Sequence, residues 1–147
     1  MKDALVIEVV RKTITVDRAV EEAFRIFTAD VQSWWPTGTH SIYGDVKEIV
    51  FEERDGGEVF EISENGEKGH WATVIAFEPP SRLVLAWEVN PKALGTEVEV
   101  RFTADGQGTR VDLEHRGWER LAEAAEARAS YDTGWDLVLA RYVDRAG

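Results

Sequence analysis

The 147-residue chain is 44% hydrophobic and 31% charged, an ordinary globular balance in a length that can bury a sizeable core. Its formal net charge of −11, from 17 basic and 28 acidic side chains, argues against nucleic acid or an anionic membrane as partner, because the Lys and Arg residues are scattered and form no basic patch. With no cysteine, disulfides, thiolate nucleophiles and Cys-type zinc sites are excluded.

In chain order, Met1-Lys2-Asp3 leads directly into a Val-, Ile- and Thr-rich run over residues 5–16 that reads as a strand. This start lacks the charged, apolar and small-residue parts of a signal peptide, and no apolar run reaches the roughly 18 residues that span a bilayer, so the expected location is the cytoplasm. Asp17 is expected to cap a short amphipathic helix, with Glu21 and Glu22 in its first turn and Val20, Phe24 and Phe27 on one face. A second short helical piece is expected over residues 30–35, stopped by Pro36 and followed by a loop over residues 37–44 that holds two glycines.

From Val46 the pattern turns to β. Strands are predicted over residues 46–53, 58–63, 69–77, 82–89, 97–104 and 109–117. Asp55-Gly56-Gly57, Asn65-Gly66, Pro79-Pro80, Asn90-Pro91 and Asp105-Gly106-Gln107-Gly108 punctuate them as turns. With the first strand this makes about seven, as in an antiparallel meander. Val98, Val100 and Phe102 alternate with Glu97, Glu99 and Arg101, while Val111, Leu113 and His115 alternate with Asp112, Glu114 and Arg116. One face of the sheet is therefore buried and the other wet.

Residues 118–145 read as one long helix of roughly 40 Å. Leu121, Ala124, Ala125, Tyr131, Trp135, Val138, Leu139 and Tyr142 form its apolar stripe, opposite Glu119, Glu123, Glu126 and Ser130. Thr133 and Gly134, weak helix formers in its middle, suggest a bend or a close helix–sheet approach. No repeat, linker or low-complexity stretch divides the chain, and residues 1–147 are read as one domain.

Six Trp, six Phe and three Tyr are present, and Trp35, Phe60, Trp71, Trp87, Tyr131 and Trp135 fall where a curved sheet and a long helix enclose space. They either fill the core or wall an apolar ligand cavity. Four polar residues lie among them. His115 is on the inward face of its strand, Arg128 near the centre of the helix stripe, Glu61 on the same side as Val59, and His40 in the loop after Trp34-Trp35. A buried charge needs a partner. Arg128 with Glu61 or His115 is thus a structural pair, an anchor for the polar end of a ligand, or an acid–base set, unless Arg128 reaches out to solvent. His40, His70 and His115 lack close metal-ligand spacing, and no metal or cofactor is expected. Phosphate-cradling, dinucleotide-binding and serine-hydrolase motifs are absent.

One combination of residues is more telling than any single motif. It runs from Ala23-Phe24 through Trp34-Trp35-Pro36, then Gly56-Gly57 with Glu61, Trp71, and Phe77-Glu78-Pro79-Pro80-Ser81-Arg82-Leu83-Val84-Leu85-Ala86-Trp87. It continues through Thr109-Arg110-Val111 and His115-Arg116-Gly117-Trp118 to Gly134-Trp135. With these pieces the chain resembles the SRPBCC (START/Bet v 1-like) superfamily, and within it the branch of the activator of Hsp90 ATPase C-terminal domain. The resemblance implies an α+β helix-grip fold, a curved antiparallel sheet around one long C-terminal helix with a cavity between them. It fixes no activity, since fold is a scaffold and function lies in the site. The leading expectation is a binding protein for a small, largely apolar molecule. Trp35, Phe60, Trp71, Trp87, Tyr131 and Trp135 would enclose it, and Glu61, His115 and Arg128 would meet its polar end. A cyclase- or dehydratase-like enzyme using His115 or Glu61, and a co-chaperone-like interaction module, stay open, as does a homodimer through the outer sheet face or an edge strand.

Overall fold

The computed structural model describes residues 8–44, 46–89, 94–121 and 123–147. Seven strands are present: β1 (Val10–Val16), β2 (Val46–Phe51), β3 (Glu58–Ser63), β4 (Lys68–Glu78), β5 (Arg82–Trp87), β6 (Thr96–Asp105) and β7 (Gly108–Arg116). They form one antiparallel sheet in the order β1-β7-β6-β5-β4-β3-β2. Each successive pair from β2 to β7 is adjacent and antiparallel, a meander, and β1 closes its far edge on β7, with Val10 opposite His115 and Val16 opposite Thr109. Two helices complete the fold, α1 (Val20–Thr28) and α2 (Ala124–Ala146), with short 3-10 turns at Val31–Ser33 and Trp118–Arg120. This is the helix-grip architecture.

Period-two patterning puts Val98, Val100, Phe102, Val111, Leu113 and His115 on the buried face, as read from sequence. The outer face carries ion pairs that cross strands. Glu99 of β6 accepts from Arg82 at 2.7 Å, Arg101 at 2.8 Å and Arg116 at 2.7 Å, which compensates a carboxylate only 9% exposed. The long helix starts later than the sequence suggests. After a 3-10 turn at Trp118–Arg120, Leu121 is extended (φ −103°, ψ 146°), and α2 begins at Ala124. Its 23 residues reach roughly 35 Å at 1.5 Å per residue. Trp135, Val138, Leu139, Tyr142 and Ala146 are buried, whereas Ala125 is exposed and Leu121, Ala124 and Tyr131 are half-buried. The apolar stripe is therefore fully buried only along the C-terminal half of the helix, from Trp135 to Ala146.

Named polar contacts set the placement of α2. Lys12 on β1 bridges Asp132 at 2.6 Å and Asp136 at 2.8 Å. The buried Tyr142 hydroxyl donates to the Ala23 carbonyl at 2.7 Å, and Arg18 donates to the Ala146 carbonyl at 2.7 Å, satisfying an acceptor at the helix end. Asp17 is exposed and does not cap α1: the N-cap is Ala19, with no side-chain cap bond.

His70, on the outer face of β4, joins three strands. Its Nδ1 lies 2.7 Å from Glu58 on β3 and its Nε2 2.7 Å from Glu88, just after β5. Burial alone would lower its pKa, but the hydrogen bonds to Glu88 and Glu58 outweigh burial and hold it above the ordinary value. A raised folded-state pKa means that the stabilisation is full below the unfolded value of 6.5 and is lost as pH rises through the higher folded value. NMR titration of the imidazole is expected to give a midpoint above 6.5. His70→Gln is expected to remove stability at pH 6 and to matter less at pH 9. A His70 midpoint at or below 6.5 contradicts the clamp.

Candidate functional site

The loop between the 3-10 turn and β2 builds the site. Pro36 turns the chain, the backbone N–H of His40 donates to the Pro36 carbonyl, and the Ser41 hydroxyl donates to the Thr37 carbonyl. Trp35 points back under this loop and donates its indole N–H to the His40 carbonyl at 2.7 Å. The loop is then fastened from below by Glu61. This carboxylate is fully buried on the inward face of β3, and no basic side chain bridges it among the described residues. It is satisfied by three N–H donors: the backbone of Ile42 at 2.7 Å, the backbone of Tyr43 at 3.0 Å and the Trp71 indole at 2.6 Å. Gly69 on β4 makes the seat. A Cβ there would stand 2.7 Å from Ile42 Cδ1, 3.1 Å from Tyr43 Cε2 and 3.2 Å from Glu61 Cγ, so glycine lets these side chains pack closely on the strand.

Between this loop and α2 lies a cavity of about 460 Å³. Trp35, Trp87, Tyr131, Trp135 and Val138 give it apolar walls, Thr39, His40, Ser41 and Ile42 come from the loop, and Ser130 and Gly134 come from the helix. The walls are one connected aromatic cluster. Trp35 lies 4.8 Å from Trp71, 6.3 Å from Trp87 and 6.1 Å from Trp135 between ring centroids, and Trp87 lies 5.6 Å from Trp135. Every indole N–H in it is already spent. Trp87 donates to the Tyr131 hydroxyl at 3.1 Å and Trp135 to His115 Nδ1 at 3.0 Å, in addition to the Trp35 and Trp71 bonds above. The rings therefore offer their faces and hydrocarbon edges to the cavity.

His115 lies behind this wall. It is fully buried; its Nδ1 accepts from Trp135, so its Nε2 carries the proton and donates to Thr96 Oγ1 at 2.8 Å. Burial pushes its pKa down to about 3, in keeping with a neutral ring. With both nitrogens committed, His115 ties α2 to β6 and β7 rather than meeting a ligand.

Of the nine residues expected at the site, Trp35, Trp87, Tyr131 and Trp135 line the cavity, and Trp71 and Glu61 support its lid. The other three are corrected. Phe60 faces outward, because it alternates with the buried Val59 and Glu61, and Lys68 stands 4.4 Å over its ring. Arg128 pairs with neither Glu61 nor His115. Its guanidinium donates to the Glu8 carbonyl at 2.6 Å and the Val9 carbonyl at 3.4 Å, with Asp132 at 3.7 Å, which pins α2 to the chain entering β1. His115 does not reach the cavity. Thr39, Ser41 and Ile42 were not singled out from the sequence, while Val138 was read only as part of the helix stripe and Ser130 as lying opposite it. Only the two-glycine loop beside Trp34-Trp35-Pro36 carried a signal for the first three.

A family model described as "Activator of Hsp90 ATPase homolog 1-like protein" matches residues 17–144. The chain belongs to this family. No curated protein matches it. Among solved structures, it is similar to CalC from Micromonospora echinospora, described as a self-sacrificing resistance protein, at 29% identity and a TM-score of 0.72, over 94% of this chain and 93% of the other. It is also similar to Txn09, described as an anthrahydroquino-gama-pyrone synthase complexed with SUM, at 27% identity and a TM-score of 0.62, over 94% and 96%. The Aha1 dimer from Colwellia psychrerythraea shares the fold at 18% identity and a TM-score of 0.71, over 95% and 96%. No helix among the described residues is long and apolar enough to cross a membrane.

Proposed function

We propose that this protein binds a small, largely apolar, ring-bearing molecule in the cavity between the 37–44 loop and α2. The observation that carries the reading is the wall of Trp35, Trp87, Tyr131 and Trp135 around about 460 Å³, with the indole N–H groups bonded within the protein. That volume falls in the roughly 300–1,000 Å³ range of small-molecule sites, and such walls favour stacking on flat apolar ligands. Likeness to an anthrahydroquino-gama-pyrone synthase at 27% identity supports a ring-bearing ligand. The co-chaperone-like reading rests on family descent alone, so the cavity favours the small molecule. An acid–base role for His115 loses support from its two committed nitrogens. Among the described residues, His40 Nε2 and the Ser130 hydroxyl stand at the cavity to meet a polar substituent, His40 Nδ1 being bonded to Thr39 at 2.7 Å.

Tryptophan fluorescence titration with a panel of fused-ring compounds tests the reading, because Trp35, Trp87 and Trp135 all line the cavity. Saturable quenching by at least one compound is expected. Gly134→Ala gives an internal control. A Cβ there would stand 3.7 Å from His40 Nε2, an ordinary contact, and would project into the cavity. Alanine is worth roughly 0.5–1 kcal/mol over glycine inside a helix. The variant is therefore expected to melt higher and to bind several-fold more weakly. Absence of saturable quenching across the panel, or quenching indifferent to Gly134→Ala, counts against the cavity as the site.

A further inference from the structure

A second groove adjoins the cavity. It holds about 470 Å³ between the Ser33–Thr39 segment and the last turns of α2, and it shares Trp35 and Thr39 with the cavity as a common wall. Its charged residues are Arg141, Asp144 and Arg145. Arg145 is committed, donating to Ser33 Oγ at 3.2 Å and to Asp30 at 3.5 Å. Arg141 is exposed and has neither an ion pair nor a side-chain hydrogen bond among the described residues.

That is unusual in this chain. Among the described residues every other arginine is bridged to a carboxylate, except Arg120, which donates to the Gly95 carbonyl at 2.7 Å. With 28 acidic residues against 17 basic ones, an arginine left without a partner is a local positive focus on a negative surface. It stands about one helical turn beyond Val138, which lines the cavity. A flat molecule lying in the cavity and passing Trp35 and Thr39 would bring a substituent to its guanidinium.

We infer that Arg141 is the seat for an anionic substituent, of carboxylate or sulfonate type, on the cavity's ligand, so that the natural ligand is a flat apolar body bearing one acidic group. This rests on the cavity reading above and adds to it the charge of the ligand. Guanidinium geometry suits a planar two-oxygen anion. Asp144, on the same groove, opposes an anion at its end, which sets the position of the acidic group toward Arg141.

A matched pair of fluorescent probes separates the two claims. N-phenyl-1-naphthylamine is neutral, and 1-anilinonaphthalene-8-sulfonate carries the same rings with a sulfonate. Arg141→Gln is expected to weaken the sulfonate probe by about five-fold, the scale of one exposed charge-assisted contact, and to leave the neutral probe within two-fold. Arg141→Lys is expected to keep part of the gap, since its charge remains without the fork. Asp144→Asn is expected to tighten the sulfonate probe alone, and added salt to erase all three differences. Circular dichroism of each variant controls for folding. If both probes bind and Arg141→Gln leaves the sulfonate probe unchanged, or weakens both equally, the anionic seat is overturned and the cavity reading stands. If neither probe binds the wild-type protein, the cavity reading falls and this inference falls with it.

Discussion

Glu61→Ala is expected to lower stability by roughly 2–4 kcal/mol and to release the loop that roofs the cavity. The carboxylate is fully buried and meets three N–H donors, two from the backbone of Ile42 and Tyr43 and one from Trp71. Each buried donor left without an acceptor costs roughly 1–3 kcal/mol, and the two loop amides, being part-buried, recover some of that from water. The Trp71 indole, 2% exposed, has no such recourse. Glu61→Gln should fall between wild type and alanine, because the amide oxygen can accept while its NH₂ group confronts a donor. Urea unfolding gives the stability change. Amide exchange gives the local one: Ile42 and Tyr43 should lose protection in Glu61→Ala beyond the global loss. A variant within 0.5 kcal/mol of wild type, with both amides still protected, would mean that Glu61 does not hold the loop.

The buried carboxylate also shows where sequence reasoning stops. Glu61 was recognisable as inward-facing from its alternation with Val59, and a buried carboxylate invites a search for a cation. Two of its three partners are backbone N–H groups of a loop some twenty residues earlier, and backbone donors leave no trace in residue types. Arg128 failed for the related reason that its acceptors are the Glu8 and Val9 carbonyls. Phe60 was legible and misassigned: the period that sends Val59 and Glu61 inward sends Phe60 out. The strands were read within a few residues because turn glycines and alternation are local signals. The start of α2 was not, because the 3-10 turn at Trp118–Arg120 and the extended Leu121 interrupt the run that reads as helix from Trp118. Gly134 drew attention as a weak helix former, and its close neighbour is the loop residue His40 rather than the sheet. The aromatic walls were legible as a set, whereas the space between them is a property of how far the loop stands from the helix, and Glu61 anchors that loop.

His115→Phe is expected to lower stability at pH 7 by roughly 2–3 kcal/mol and to flatten its dependence on pH. The ring stays aromatic but is larger, so some overpacking in this fully buried site adds to the loss of polar partners. The Trp135 indole N–H loses its acceptor, and Thr96 loses one partner. The pH effect has a definite sign. Burial pushes the folded-state pKa of His115 down to about 3 from an ordinary 6.5. Stability from the neutral ring is full above the unfolded value and is lost as pH falls from 6.5 toward 3, at a limiting rate of roughly 1.4 kcal/mol per pH unit. Across that window the unfolded chain binds a proton that the folded protein refuses. Urea titrations of wild type between pH 4 and 6 should therefore carry about one proton more of linkage than His115→Phe, with carboxylate contributions common to both. NMR should find the His115 ring neutral, with the proton on Nε2, throughout pH 5–8. An imidazole titrating near 6.5, or identical pH slopes in the two proteins, would free His115 to act as an acid or base and would reopen the enzyme reading at the wall of the cavity.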